Sequence, residues 1–319
     1  MLSQTKPPLG TRIRRAIAGQ SKNGERGLSL GQQLLSQLFL LLIAATVIYP
    51  ILWVVSISFD PRDISRPTEL RLNPLQGGLS LKAYEDVAKQ PTANPVSLGR
   101  LIFNSFRLAT LTGIASIIVG VFAAYSFSRL RFKGRQVLMI AVLTVLMLPS
   151  IATLPALFVL LNKVQIHIGN GVFNLRDSLM GVGMAVLSGS LPFAIWNMKG
   201  YLDTIPKELE EAALIDGCTP NTAFFLVTLP LSTPVLAVTF FLGFMSTWTE
   251  FPTSWLFLTH PKDFTLMMAL YNMVGQYSDN TPWSHFAAMA IIIALPVTVV
   301  YLFVQKYFQG GLAIGGVKG

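Results

Sequence analysis

The sequence predicts an all-α membrane protein with six transmembrane helices and both termini in the cytoplasm. Three observations carry this reading. The chain of 319 residues is 52% hydrophobic and only 12% charged, whereas soluble domains carry about 25% charged residues. Its apolar residues gather into repeated runs of about twenty, the length at which a helix crosses a ~30 Å hydrocarbon core. The formal net charge of +9 is scattered over loops that these runs separate, a pattern of positive-inside bias rather than of nucleic-acid binding.

Residues 1–33 are rich in Lys, Arg, Gly, Ser and Gln, with Arg12, Arg14 and Arg15 clustered. They read as a cytoplasmic tail near anionic lipid. A polar start followed by an apolar run long enough to stay in the membrane predicts no cleaved signal peptide. The transmembrane domain is expected over 34–305. Its first span runs from about Leu38 to Ser58, past Pro50 and Trp53. Residues 59–100 follow as a Pro-punctuated external segment, whose Asp60, Asp63, Glu69, Glu85 and Asp86 offset its basic residues. The second span, about Phe103 to Phe127, carries Gly113, Ala115, Ser116, Gly120, Ala123 and Ala124. Small residues let membrane helices approach closely, which predicts a buried helix. The next loop, SRLRFKGR, holds Arg129, Arg131, Lys133 and Arg135. So basic a short loop stays in the cytoplasm, and counting outward from it places both termini and the 199–231 loop inside.

The third span, about Val137 to Leu160, contains Pro149 and Pro155 and is expected to be kinked or broken. Residues 161–178, with His167, Arg176 and Asp177, form an external loop. The fourth span covers about Leu179 to Met198 around Pro192, and the fifth about Leu231 to Leu258. Residues 259–283 return outside. The sixth span, about Phe286 to Gln305, leads to a glycine-rich cytoplasmic tail over 306–319.

The polar stretch 199–231, KGYLDTIPKELEEAALIDGCTPNTAFFLVTLPL, stands out between spans. Thr204 can cap a helix with Pro206 in its first turn. Glu208, Glu210 and Glu211 then lie near the positive end of the helix dipole. Leu209, Ala212 and Ala213 recur at helical spacing and give a narrow face of mostly small side chains. Gly217 stops that helix, and Thr219-Pro220 starts a second short one through Phe224 and Leu226 that Leu229-Pro230 ends. A bilayer-surface anchor would carry Lys or Arg on its polar face. This loop is acidic, which fits a docking surface better.

Catalysis inside the chain finds no constellation. His167, His260 and His285 lie apart, and neither HExxH nor a GxSxG on a strand–turn–helix occurs. Without GxxxxGK[ST] the chain has no phosphate cradle of its own, no bound cofactor is expected, and no residue is assigned as a metal ligand. Cys218, the single cysteine, excludes an intrachain disulfide. Glu250 is an acidic residue deep inside the predicted fifth span, beside Trp248, Pro252 and Thr253. Such a group either faces a polar path or gate, or hydrogen-bonds within the bundle or to a partner subunit and fixes packing. Asn197, with Trp196 and Met198, is a weaker path candidate. Arg107 reads as a snorkelling side chain near a span end.

The spacing Glu211-Ala212-Ala213, three residues, Gly217, nine residues, Val227, one residue, Leu229-Pro230 resembles the EAA signature of ABC importer permeases, with Val227 where the family usually has Ile. The order YPILWVVSISF, NSFRLATLTG, AYSFSRLRFKGR, IWNMKGYLDTIP, WTEFPTSWLFL and GGLAIGGVKG is similar to the sugar-importer branch, of the maltose/maltodextrin type, almost end to end after residue 34. The resemblance implies a type I importer permease fold. It also implies a heterodimer with a second permease, a homodimeric cytoplasmic ATPase that binds ATP and Mg, and an extracytoplasmic sugar-binding protein. On that reading Glu211, Ala212, Ala213, Gly217, Leu229 and Pro230 form the ATPase-coupling loop. Gly310–Gly319 reaches the ATPase pair and the 259–283 loop reaches the binding protein. Sugar contacts would fall mostly on the other permease. The alternative from the residues alone is an ion-coupled secondary carrier, against which stand a lone intramembrane carboxylate and the lack of a visible internal repeat.

Overall fold

The computed structural model describes residues 29–61, 78–168, 171–274 and 281–315. Arg12, Arg14, Arg15, Asp63, Glu69 and the last four residues lie outside this set. Among the described residues, four helices are long and apolar enough to span a membrane: α1 Leu30–Ser58, α3 Leu98–Arg129, α6 Leu179–Leu202, and α12, of which Trp283–Tyr307 passes that test. Two bent helix pairs raise the number to six when each is taken as one span.

Helix α1 begins at Leu30 rather than Leu38, because Ser29 and Gln32 cap each other's backbone N–H reciprocally. It therefore takes in residues assigned above to the tail. Only Ser58 of α1 is buried, and its contacts are mainly with α12. The described part of the 59–100 segment is not simply a loop. A short amphipathic helix, α2 Lys82–Lys89, buries Ala83 and Val87. It is tied to α1 by Tyr84, whose hydroxyl is 2.8 Å from Ser58 Oγ, and to α12 by Asp86, 3.3 Å from His285 Nε2.

The core is α3 gripped by α6 and α9 (Thr233–Trp248). Leu101, Leu108, Thr112, Ser116, Gly120 and Ala124 recur every four residues or so and form one buried stripe down α3. At the crossing of α3 and α9, Gly113 and Gly243 face each other. A Cβ on Gly243 would sit 3.0 Å from Ser116 Oγ and 3.2 Å from Gly113 Cα. That proximity explains why these positions are small, as expected for a buried helix.

The third span is broken, as its prolines predict. Helices α4 Arg135–Val145 and α5 Ser150–Asn162 meet at 102°. Pro149 has no N–H and disfavours helical geometry in Leu148 before it. The expected loop after it contains an antiparallel hairpin, β1 Gln165–Ile168 with β2 Gly171–Asn174, Gln165 facing Asn174. The described residues are thus mostly helical with one small ribbon.

The fifth span departs most from expectation. Helix α9 has 16 residues, about 24 Å at 1.5 Å per residue, less than a ~30 Å core requires. The chain breaks at Thr249–Phe251 and resumes as α10 Pro252–Phe257. The 259–283 segment is no open loop: a 3-10 turn at Pro261–Asp263 and α11 Leu266–Asn272 are strapped over the start of α3. Asn104 Nδ2 donates to the carbonyls of Lys262 (2.9 Å) and Phe264 (3.0 Å), and Leu266 N–H donates to Ser105 Oγ (2.7 Å). Helix α12 Trp283–Gly315 runs past Gln305 and takes in most of the expected tail.

Candidate functional site

The 199–231 loop folds as two helices at one end of the bundle. Thr204 does not cap the first: its hydroxyl donates to Tyr201 O, closing the turn after α6. The helix α7 starts later, at Glu208–Ile215, with Lys207 at the N-cap position and no side-chain cap. Its three glutamates in the first turn still complement the dipole. Its end is a Schellman motif. Cys218 N–H donates to Ala213 O at 3.0 Å and Gly217 N–H to Leu214 O at 3.1 Å. Gly217 has φ +91° with nothing within 4 Å of a built Cβ, so backbone conformation, not space, demands glycine there.

Thr219 caps the second helix through Thr222 N–H. This helix, α8 Pro220–Leu231, is longer than expected and contains a π-turn over Phe224–Thr228. Pro230 lacks the N–H that would continue a regular ladder, and the widened turn lies just before it. Helix α8 then bends by 72° into α9. Leu229 packs into a small core with Val121, Met198, Leu202, Phe224 and Val235, and Pro230 stays exposed.

Along α7 only Glu210 and Ala213 are half-buried. Glu211, Ala212 and the apolar Leu209, Leu214 and Ile215 face outward. The predicted docking face is therefore displayed, apart from Ala213.

Glu210 anchors the helix. Its carboxylate accepts from Arg129 Nε at 2.6 Å and from Tyr125 OH at 3.2 Å, while Arg129 Nη2 donates to Ile205 O at 2.9 Å. The Arg129 and Glu210 side chains are only 6% and 12% exposed. A second link runs through Asp203, which pairs with Lys199 and accepts from Ser128 Oγ at 2.7 Å. Partial burial alone would raise the Asp203 carboxyl, but the hydrogen bonds from Lys199 and Ser128 and the charges of Lys199 and Arg129 outweigh it and hold it low. Sequence reasoning read Arg129 only as an orientation signal. No local pattern pairs it with Glu210, 81 positions away.

The three path candidates part company. Trp248 is 2% exposed, stacks on Phe244 at 5.6 Å and donates its Nε1–H to Ile293 O at 3.0 Å. Glu250 sits in the break between α9 and α10, not inside a continuous span. It accepts from the N–H groups of Thr253 and Ser254 and from Ser254 Oγ, capping α10. Of its two open readings, the geometry matches hydrogen bonding within the bundle. Asn197 lines a cavity of about 600 Å³ beside the start of the 199–231 loop, with Trp196, Tyr201, Asp203, Val238 and Tyr307. Arg107 lies over the Phe103 ring at 5.6 Å.

Comparisons with known proteins agree with this geometry. A family model described as "Binding-protein-dependent transport system inner membrane component" matches residues 116–313. The chain is 35% identical over 279 residues to the maltose/maltodextrin transport system permease protein MalG of Vibrio vulnificus (strain YJ016), covering 86% of this chain and 91% of that protein. It is 34% identical over 289 residues to MalG of Escherichia coli (strain K12), covering 89% and 95%. Among solved structures, a bacterial ABC transporter that imports the acidic polysaccharide alginate superposes with TM-score 0.66 at 22% identity, covering 86% of this chain and 96% of that one. The inward-facing MetNI methionine ABC transporter gives 0.53 at 15% identity, covering 67% and 95%. At these identities the structures speak for the fold alone, a permease fold of ABC importers. The protein is thus a multi-pass protein of the inner membrane, and the chain belongs to the family of binding-protein-dependent transport system inner membrane components, the permeases of ABC importers.

Proposed function

We propose that this chain is one of two unlike permeases in an importer of maltose/maltodextrin-type oligosaccharides. The observation that carries the coupling half of this reading is α7. It is a helix stopped by Gly217, displaying Glu211, Ala212 and an apolar rim, and pinned to α3 by Arg129–Glu210. The sugar half is supported by the MalG relatives. The partners are a second permease, a homodimeric cytoplasmic ATPase that binds ATP and Mg, and an extracytoplasmic sugar-binding protein. Glu211, Ala212, Ala213 and Gly217 form the ATPase contact, with Leu229 and Pro230 seating α8 behind it, and the glycine-rich stretch Gly310–Gly319 reaches the ATPase pair. Asn197 belongs to the cytoplasmic mouth of the path.

Transport follows from alternating access. ATP binding closes the ATPase pair and draws the docked α7 inward, the α3 clamp carries that motion into the bundle, and the central space opens outward. Hydrolysis reverses it. The dock must hold differently in the two states, since equal affinity shifts no equilibrium.

An ion-coupled carrier is disfavoured because Glu250 is already occupied as a helix cap. The test is gentle purification of the tagged chain from its own membranes, with mass spectrometry of what accompanies it and sugar uptake on the recovered complex. Co-purification of a second permease and a Walker-motif ATPase is expected. Recovery of this chain alone, active in uptake, would overturn the proposal.

A further inference from the structure

Helix α8 buries a polar atom that its own geometry leaves idle. The hydroxyl of Thr228, last residue of the π-turn over Phe224–Thr228, has no hydrogen-bond partner among the described residues. The residue is 0% exposed, so solvent does not reach it either. A helical threonine ordinarily bonds back to the carbonyl three or four residues earlier. Thr144 does so with Ile140, Thr247 with Gly243 and Thr298 with Ala294. For Thr228 the acceptor four residues back is Phe224 O, which here receives the N–H of Leu229, five residues on. The widened turn strands the hydroxyl.

The same turn is gripped at both ends. Before it, Phe224 is buried, with its ring 4.6 Å from that of Tyr125 and 5.7 Å from that of Phe122 on α3. Tyr125 also holds Glu210 of α7. After it, Thr228 O accepts from both the N–H and the Oγ of Ser232, at the bend into α9. A displacement of α7 thus enters the turn at one end and leaves into α9 at the other. Pro230 offers no N–H to the carbonyls of the turn in either an α- or a π-form, so the backbone ladder does not lock it in one of them. We propose that this π-turn is a two-state joint and that Thr228 is the positioning residue of its other form. There the turn tightens to α geometry, the Thr228 hydroxyl donates to Phe224 O, and α9 leaves α8 at a changed angle. A packed element with two arrangements turns a small shift at one end into a discrete movement at the other. The inference rests on the ATPase-coupling reading and adds where in the loop the motion is converted.

The test uses the assembled importer and compares Thr228→Val and Thr228→Ser with the unaltered chain. Valine removes a hydroxyl that has no partner in the present form, so the amount of complex and its melting temperature are expected to be unchanged or higher. Maximal maltodextrin uptake is expected to fall up to about tenfold, the weight of one hydrogen bond lost from one state only. Serine keeps the hydroxyl and should restore uptake. Hydrogen exchange over 224–232 should differ between the nucleotide-free importer and one held with Mg and a non-hydrolysable ATP analogue, and valine should shrink that difference. Full uptake with valine, a melting temperature that falls in step with uptake, no recovery with serine, or exchange indifferent to nucleotide each overturns the joint and leaves the importer reading standing. An importer that takes up no maltodextrin overturns the sugar reading, and the exchange comparison still decides the joint. A chain that transports without an ATPase overturns the coupling reading, and the joint with it.

Discussion

At the scale of single residues, the Arg129–Glu210 pair decides how α7 is held. Both side chains are desolvated, and removing one partner of a buried pair leaves an uncompensated charge at a cost of about 3–5 kcal/mol. Arg129→Met is expected to abolish uptake while leaving the chain in the membrane, with a large loss of thermal stability in detergent. Arg129→Met with Glu210→Leu should recover part of the stability, because no buried charge remains. Stability of the double variant no better than the single would show that Arg129 acts elsewhere. Gly217→Val forces a β-branched side chain to φ +91°, a left-handed conformation that costs roughly 1–2 kcal/mol for an L-residue. Insertion should persist and coupling fail; normal uptake in this variant would remove α7 from the coupling mechanism.

At the scale of elements, two joints carry the argument beyond single contacts. Glu250 caps α10 with three hydrogen bonds, and loss of a cap costs about 0.5–2 kcal/mol. Glu250→Gln should therefore lower the melting temperature modestly and leave the sugar preference unchanged; an altered preference would return Glu250 to the path. The second joint ties Asp177, just before α6, to Thr259 of the strap over α3. Burial pushes the Asp177 carboxyl up, but side-chain and backbone hydrogen bonds from Thr259, with Arg176 and His260 nearby, outweigh it and hold it below the ordinary range. A lowered carboxyl contributes stability that is fully present above its unfolded value near ~3.9 and is lost as pH falls through the lower folded value. Hydrogen exchange over 259–274 should accordingly stay slow down to about that pH and rise below it. Asp177→Asn should exchange faster at neutral pH.

At the scale of the whole molecule, stability is unevenly spread. Helices α3, α6 and α9 share one buried stripe, while α1 buries only Ser58, α4 buries no residue and α5 buries only Leu161. Regions with few buried contacts open at lower free energy. Amides of α3, α6 and α9 are expected to exchange slowest in detergent and those of α4 and α5 faster. Uniform protection across all spans would contradict that division.

The sequence by itself determined the class of molecule, the break at Pro149, the burial of the second span, and the helix of the 199–231 loop with its glycine stop. Each is local chemistry: run length against bilayer thickness, a missing N–H, small side chains, a left-handed turn. Its limits fell where the deciding partner is far along the chain. Arg129 as an anchor, the strap held by Asn104 and Ser105, and Trp248 bonded to Ile293 depend on contacts that no short window contains. Glu250 was legible as unusual, yet only the break between α9 and α10 made it a cap. The tertiary structure likewise decided the cavity at Asn197, because a cavity is the space left when α4, α6, α9 and α12 close on one another, and no residue encodes it alone.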